Sequence, residues 1–349
     1  MKKYLYLLPW FSLLLTGVAF AGNPDRQGEA GAYELLINPW ARTAGIQNTN
    51  TAGVSGVDAL FLNVAGLSRI NTTQIALGHT RYLVGADINI NALGIGQRIG
   101  KGGVLGIQLM SMDFGDIPLT TVETPDGSGA TFSPSFFNLG ISYAQRFENK
   151  VSVGFTVKAV NESISSVSAR GVALDAGVQY VAGEKDRFKF GISLRNVGGK
   201  MRFQGEGLNI PRPNPDGTFN YNLSFYNKSA GFEMPSQLNI GASYDWPIAR
   251  DNRLTLMGNF TSNAFSRDNV GAGLEFAAGQ NIAFRAGYKY EFAQSNSAIK
   301  ESVDNGLALG ITLGIPVKKG SDTRVNVDYS YRQSKVWSGT HNIAARIDL

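Results

Sequence analysis

Between Thr73 and Leu349, apolar and polar positions alternate with a period of two, segment after segment. Side chains of a β-strand point to opposite faces in turn, so this period predicts strands with one apolar and one polar face. In Asn281–Phe292, Ile282, Phe284, Ala286, Tyr288, Tyr290 and Phe292 share one face, and Arg285, Gly287, Lys289 and Glu291 share the other. Arg324–Arg332 repeats the pattern, with Val325, Val327, Tyr329 and Tyr331 against Arg324, Asn326, Asp328 and Arg332. The last segment sets Ile343, Ala345, Ile347 and Leu349 against Asn342, Arg346 and Asp348.

Turn chemistry divides the region into fourteen segments: 73–82, 86–99, 103–113, 134–147, 150–163, 169–181, 187–197, 234–246, 252–263, 268–278, 281–292, 304–315, 322–332 and 338–349. Ordinary strands average about 5–6 residues, and these are longer. A soluble sandwich would bury the apolar face under a second sheet, and one chain has no other apolar surface to do so. The predicted fold is all-β: a 14-stranded antiparallel transmembrane β-barrel, lipid-facing outside and polar within. Bacterial barrels have short periplasmic turns and longer outer loops. Here every long connection (114–133, 198–233 and 293–303) follows an odd-numbered strand, so the first strand runs outward, the C-terminus is expected on the periplasmic side, and the mature N-terminus is expected there or in the lumen. Aromatics such as Phe147, Trp246 and Phe284 at one level, and Tyr329 and Trp337 at the other, fit two interfacial girdles.

The beginning of the chain differs. Met1-Lys2-Lys3, an apolar stretch to Phe20 and the small-residue site Ala19-Phe20-Ala21 form a secretory signal peptide over residues 1–21. Its removal lowers the formal charge from +5 to +3, so nucleic acid is not an expected partner. Residues 22–72 are rich in Gly, Ala, Asn and Thr and do not alternate; they are expected to fold into the lumen as a hatch, with residues 73–349 forming the barrel. The 42 glycines, among 20 Phe and 13 Tyr, suit turns and strands rather than helices.

Pro39-Trp40-Ala41-Arg42-Thr43-Ala44-Gly45, followed by Val57-Asp58-Ala59-Leu60-Phe61-Leu62-Asn63-Val64-Ala65-Gly66-Leu67, resembles the opening of the PorV/PorQ family. The likeness covers about residues 33–90 and also touches the wider FadL-like barrels, which carry an Asn-Pro-Ala element in their hatch. On that resemblance the hatch motif comprises Arg42, Gly45, Asp58, Asn63, Ala65, Gly66 and Leu67. Val64 stands where the family has proline, which removes a rigid turn. The resemblance implies an integral protein of the Bacteroidota outer membrane, with outer-membrane lipid around it, acting in type IX protein secretion. Its partners there are an SprA-like translocon, cargo C-terminal domains or the surface attachment complex. FadL-like relatives instead move hydrophobic small molecules, the alternative function.

Catalytic chemistry is poorly supplied. There is no cysteine, and His79 and His341 are the only histidines, so no thiol nucleophile, metal site or cofactor is expected. No Gly-x-Ser-x-Gly elbow occurs, and a non-enzyme is expected. Two other groups remain. Arg285, Lys289, Glu291, Arg324, Asp328, Arg332, Arg346 and Asp348 fall on the polar faces of the last strands; with both signs interspersed, they are expected to pair with one another and with the hatch. The 36-residue connection 198–233 carries Phe203, Phe219, Tyr221, Phe225, Tyr226 and Phe232 among prolines, a composition suited to a partner-contact loop.

Overall fold

The computed structural model describes residues 24–148, 150–213, 221–248, 251–292, 303–317 and 323–349. The expected signal peptide and Phe219 lie outside the described residues. The alternating segments form fourteen antiparallel strands: β1 (Thr73–Tyr82), β2 (Ile88–Ile99), β3 (Gly103–Asp113), β4 (Ser135–Phe147), β5 (Val151–Ile164), β6 (Val167–Ala182), β7 (Phe188–Gly198), β8 (Gln237–Ile248), β9 (Asn252–Asn263), β10 (Asn269–Ala278), β11 (Ile282–Glu291), β12 (Asp304–Pro316), β13 (Arg324–Ser334) and β14 (Thr340–Asp348). Each pairs with the next, and β14 returns to β1, with Ile347 opposite Ile75, so no barrel strand is left as an open edge. Two short loop strands, Met201–Gly205 and Gly231–Phe232, continue the sheet beside β6. In the same loop a separate hairpin pairs Asn209–Pro213 with Asn222–Tyr226.

Alternation places Leu105, Ile141, Phe155, Phe284 and Tyr288 outside and Thr156, Gln179, Asn239, Arg285 and Arg346 inside. Among the described residues no helix is long and apolar enough to cross a membrane; the strands carry the apolar belt. At one rim the turns are short, as at Gly100–Gly102 between β2 and β3. The other rim carries every long loop, and Thr73 and Leu349 meet at the turn rim.

The strand pairing is broken by a bulge in β7. Arg195 and Asn196 together stand opposite Asp175 of β6, and Asn196 takes φ 59°, a left-handed conformation Asn tolerates. The Asn196 N–H donates to Asp175 Oδ1 at 2.8 Å. Buried Lys158 of β5 closes the arrangement, 2.5 Å from Asp175 Oδ2 and 2.8 Å from Asn196 Oδ1.

Residues 24–72 run through the barrel from one rim to the other. Ala30 bridges to Glu233 at the long-loop rim. The chain then passes the short turn Tyr33–Leu36 and the one-turn helices Ala41–Ala44 and Ala59–Leu62, and joins β1 at the turn rim. The segment near the expected mature N-terminus therefore sits at the end bearing the long loops, opposite the C-terminus.

Candidate functional site

The lumen and its hatch form the candidate site. The hatch approaches the wall so closely that several inward wall positions have room only for glycine. A Cβ on Gly287 would come within 2.3 Å of the Ile46 carbonyl carbon, and one on Gly154 within 2.9 Å of Val64. Gly45 lies against Gly310, where a Cβ on Gly45 would meet the Gly310 Cα at 2.9 Å. The abundance of glycine, read from sequence as turn and strand chemistry, is thus partly a record of where the hatch touches the wall.

The hatch residues Arg42, Gly45, Asp58, Asn63, Ala65, Gly66 and Leu67 each have a definite place. Asn63 caps the 3-10 turn Val64–Arg69 by accepting from Ala65 N, so the turn begins at Val64 without the family's proline. The Asn63 Nδ2 donates to Thr51 O at 2.9 Å and to Val178 O of β6 at 3.2 Å. Gly66 admits no Cβ, which would lie 2.1 Å from Val54 O. Ala65 and Leu67 are fully buried, Leu67 in a core with Trp40, Val57 and Leu60 that packs against Ala76, Ala92, Val104 and Ala144 of β1–β4.

Charged groups join hatch to wall. Asp58 lies 2.8 Å from Arg42 Nη2 and 3.3 Å from Arg346 Nη1, and Arg346 Nη1 reaches Asp328 at 3.4 Å. Burial pushes the Arg42 pKa down, and the adjacent Asp58 carboxylate opposes that shift. Asp328 accepts from Thr312, which accepts from Arg285; Arg285 Nε is 2.7 Å from Glu275. Asp348 accepts from Gln74 of β1 and, at 2.7 Å, from Asn326. The remaining lumen charges lie apart: Arg324 bonds Gln280 and Asn281 at the turn rim, Arg332 is 3.8 Å from Asp304, and Lys289 and Glu291 line the cavity described next.

Towards the long-loop rim the lumen has two unlike halves. On the β2–β6 side, Ile90, Met110, Met112, Phe136, Met201 and Met234 form an apolar cluster with Leu35 of the hatch. On the β7–β11 side a cavity of about 500 Å³ is lined by amides and hydroxyls together with Tyr33, Leu36, Leu62 and Phe265. Sequence reasoning missed both halves. The signals were present, in Met110 and Met112 two apart on a polar-facing register, and in Asn259-x-Thr261-x-Asn263 on another.

The aromatic loop divides. Phe203 and Phe232 turn inward against the methionine cluster, their rings 5.6 Å apart. Apolar rings at the mouth gain more by covering an apolar lumen wall than by facing water. Tyr221, Phe225 and Tyr226, with Ile210, stay exposed in or beside the separate hairpin.

No family model matches the chain, and no curated protein does. Solved structures do. One is a deltaS2S3 mutant of the monoaromatic hydrocarbon channel TodX, with a TM-score of 0.56 at 14% identity, covering 88% of this chain and 97% of that one. A second is the toluene transporter TbuX of Ralstonia pickettii, at 0.54 and 15%, covering 89% and 97%. A third is a FadL homologue of Pseudomonas aeruginosa, at 0.52 and 11%, covering 88% and 98%. The chain has the FadL-type barrel fold. At these identities the likeness is one of fold, and it does not extend to the PorV/PorQ family in particular.

Proposed function

We propose that this chain is a non-enzymatic outer-membrane barrel that admits small hydrophobic molecules from the side bearing the long loops. The observation that carries this is the asymmetry of the lumen. Towards the turn rim the hatch core packs against β1–β4 and a small cavity of about 230 Å³ is lined by charged and polar groups, whereas beneath the long loops the lumen keeps a larger cavity and a methionine-rich apolar wall. Unbranched, polarisable methionines adapt to apolar guests of varied shape. The fold neighbours include proteins described as a monoaromatic hydrocarbon channel and a toluene transporter, which supports the same class of cargo. The test is uptake of labelled toluene by cells lacking their own FadL-type barrel. Expression of this chain should raise the initial rate, and Met112→Asp, which places a charge on the apolar wall, should remove the gain. A rate equal to that of empty-vector cells, with folded barrel present in the membrane, sinks the reading.

A second reading is favoured by the hatch itself. Its backbone meets the wall without intervening side chains at Gly45, Gly154 and Gly287, which suits a permanently closed anchor. Together with the PorV/PorQ-like opening and the exposed rings of Tyr221, Phe225 and Tyr226, this supports docking of a type IX translocon or of cargo C-terminal domains on the long-loop side. Replacing residues 208–227 with a short Gly-Ser linker should then abolish secretion of signal-bearing cargo. Under the uptake reading, toluene uptake should survive the same change.

A further inference from the structure

The cavity on the β7–β11 side differs in chemistry from the methionine-rich wall opposite it. It runs from Gln27 and Gly28 at the long-loop rim down to Thr49 and Leu62 of the hatch. Beside Tyr33, Leu36, Leu62 and Phe265, its wall carries an ordered array of amides and hydroxyls. Thr261 Oγ1 donates to Asn239 Oδ1 at 2.7 Å, Asn259 Nδ2 donates to Thr261 Oγ1 at 3.0 Å, and Gln237 Nε2 donates to Asn263 Oδ1 at 2.7 Å. These bonds fix the side chains in place, so the wall presents a preset pattern of polar groups.

We propose that this cavity is a binding site for a hydroxyl-rich solute, a saccharide of one or two rings, separate from the apolar wall on the opposite side. The amides and hydroxyls of the lining are donors and acceptors together, and a hydroxyl group is both in one. A hydrocarbon placed here would take water from those groups and return no hydrogen bond. The charged residues of the lining are Arg195, Arg267, Lys289 and Glu291; Arg195 is engaged with Gln237 and Leu35 O and lies over the Phe61 ring at 4.0 Å, and Lys289 and Glu291 stand two apart with opposite sign. Tyr33, 39% exposed at the mouth, offers a ring face to the apolar side of a sugar. The volume falls within the range of roughly 300–1,000 Å³ usual for small-molecule sites. The site goes beyond the uptake proposed above and does not depend on it.

The test is calorimetric titration of the full-length protein in lauryldimethylamine oxide, a detergent without a sugar head, with glucose, maltose, cellobiose and trehalose. At least one should bind saturably. Asn239→Leu and the milder Thr261→Val should each weaken that binding tenfold or more, while Met112→Asp, on the far wall, leaves it unchanged. Heat-modifiable mobility on unheated SDS gels shows that each variant is folded. Failure of all four sugars to bind the wild-type protein overturns the proposal, and so does binding that survives both cavity variants in folded form. Toluene uptake is scored separately, so loss of sugar binding with uptake intact removes this site alone, and the converse removes only the hydrocarbon reading.

Discussion

Close approach and buried charge decide which single residues matter most. Gly287 has no room for a methyl group against the Ile46 backbone, whereas Gly258 has nothing within 4 Å of its Cβ direction. Gly287→Ala should therefore cost about 1–3 kcal/mol through overpacking, and Gly258→Ala next to nothing. Urea titration of the folded band on unheated gels checks the pair; equal midpoints would mean that the hatch does not press on β11. Asp58 is 4% exposed and faces both Arg42 and Arg346. Asp58→Asn leaves Arg42 without its anion and Arg346 with Asp328 and Asp348 alone, and should cost about 3–5 kcal/mol, as for other broken buried pairs. A double-mutant cycle with Arg42→Gln should show strong coupling, because the second change removes the stranded charge. Additive effects would refute a linked network.

Elements differ in how firmly they belong to the cylinder. The hairpin Asn209–Pro213/Asn222–Tyr226 pairs only with itself among the described residues, whereas Met201–Gly205 is joined to β6. Replacing 208–227 should leave the thermal loss of the folded band within a few degrees of wild type. Extending the deletion to Met201 should lower it clearly, because Met201 is fully buried in the methionine cluster. The bulge in β7 makes a different demand. Asn196 holds a left-handed backbone and bonds Lys158, so Asn196→Gly should retain more stability than Asn196→Val. A β-branched residue is strained in that conformation, and both variants lose the side-chain bond. The same thermal assay on the two variants ranks them.

For the molecule as a whole, the path of the hatch makes a topological prediction. Gly28 lies at the same rim as Tyr226, and Lys101 lies in a turn at the opposite rim. The chain contains no cysteine, so single cysteines report cleanly. With intact cells and a membrane-impermeant maleimide, Gly28→Cys and Tyr226→Cys should label together, and Lys101→Cys should label only after the cells are broken. Labelling of Lys101→Cys on intact cells, with Tyr226→Cys silent, would invert the assigned orientation.

The alternation of apolar and polar residues was enough to determine the strands, their number and the rim of the long loops. Each strand answers locally to two solvents, lipid on one face and lumen on the other, and that requirement is written at every second residue, as in Ile282–Glu291. The ends moved by a few residues, as at Ile88 and Gln237, because pairing, unlike polarity, depends on the neighbouring strand. What only the tertiary structure decided is which strands stand side by side and what lies between them. Closure gathers Met110, Phe136 and Met201 on one side of the lumen and Asn239, Asn259 and Thr261 on the other. It brings Asp58 to Arg346, 288 positions away along the chain. It turns Phe203 and Phe232 inward while Tyr226 stays out. Even the glycines acquire their meaning there, because a missing Cβ is informative only when it is known what occupies its place.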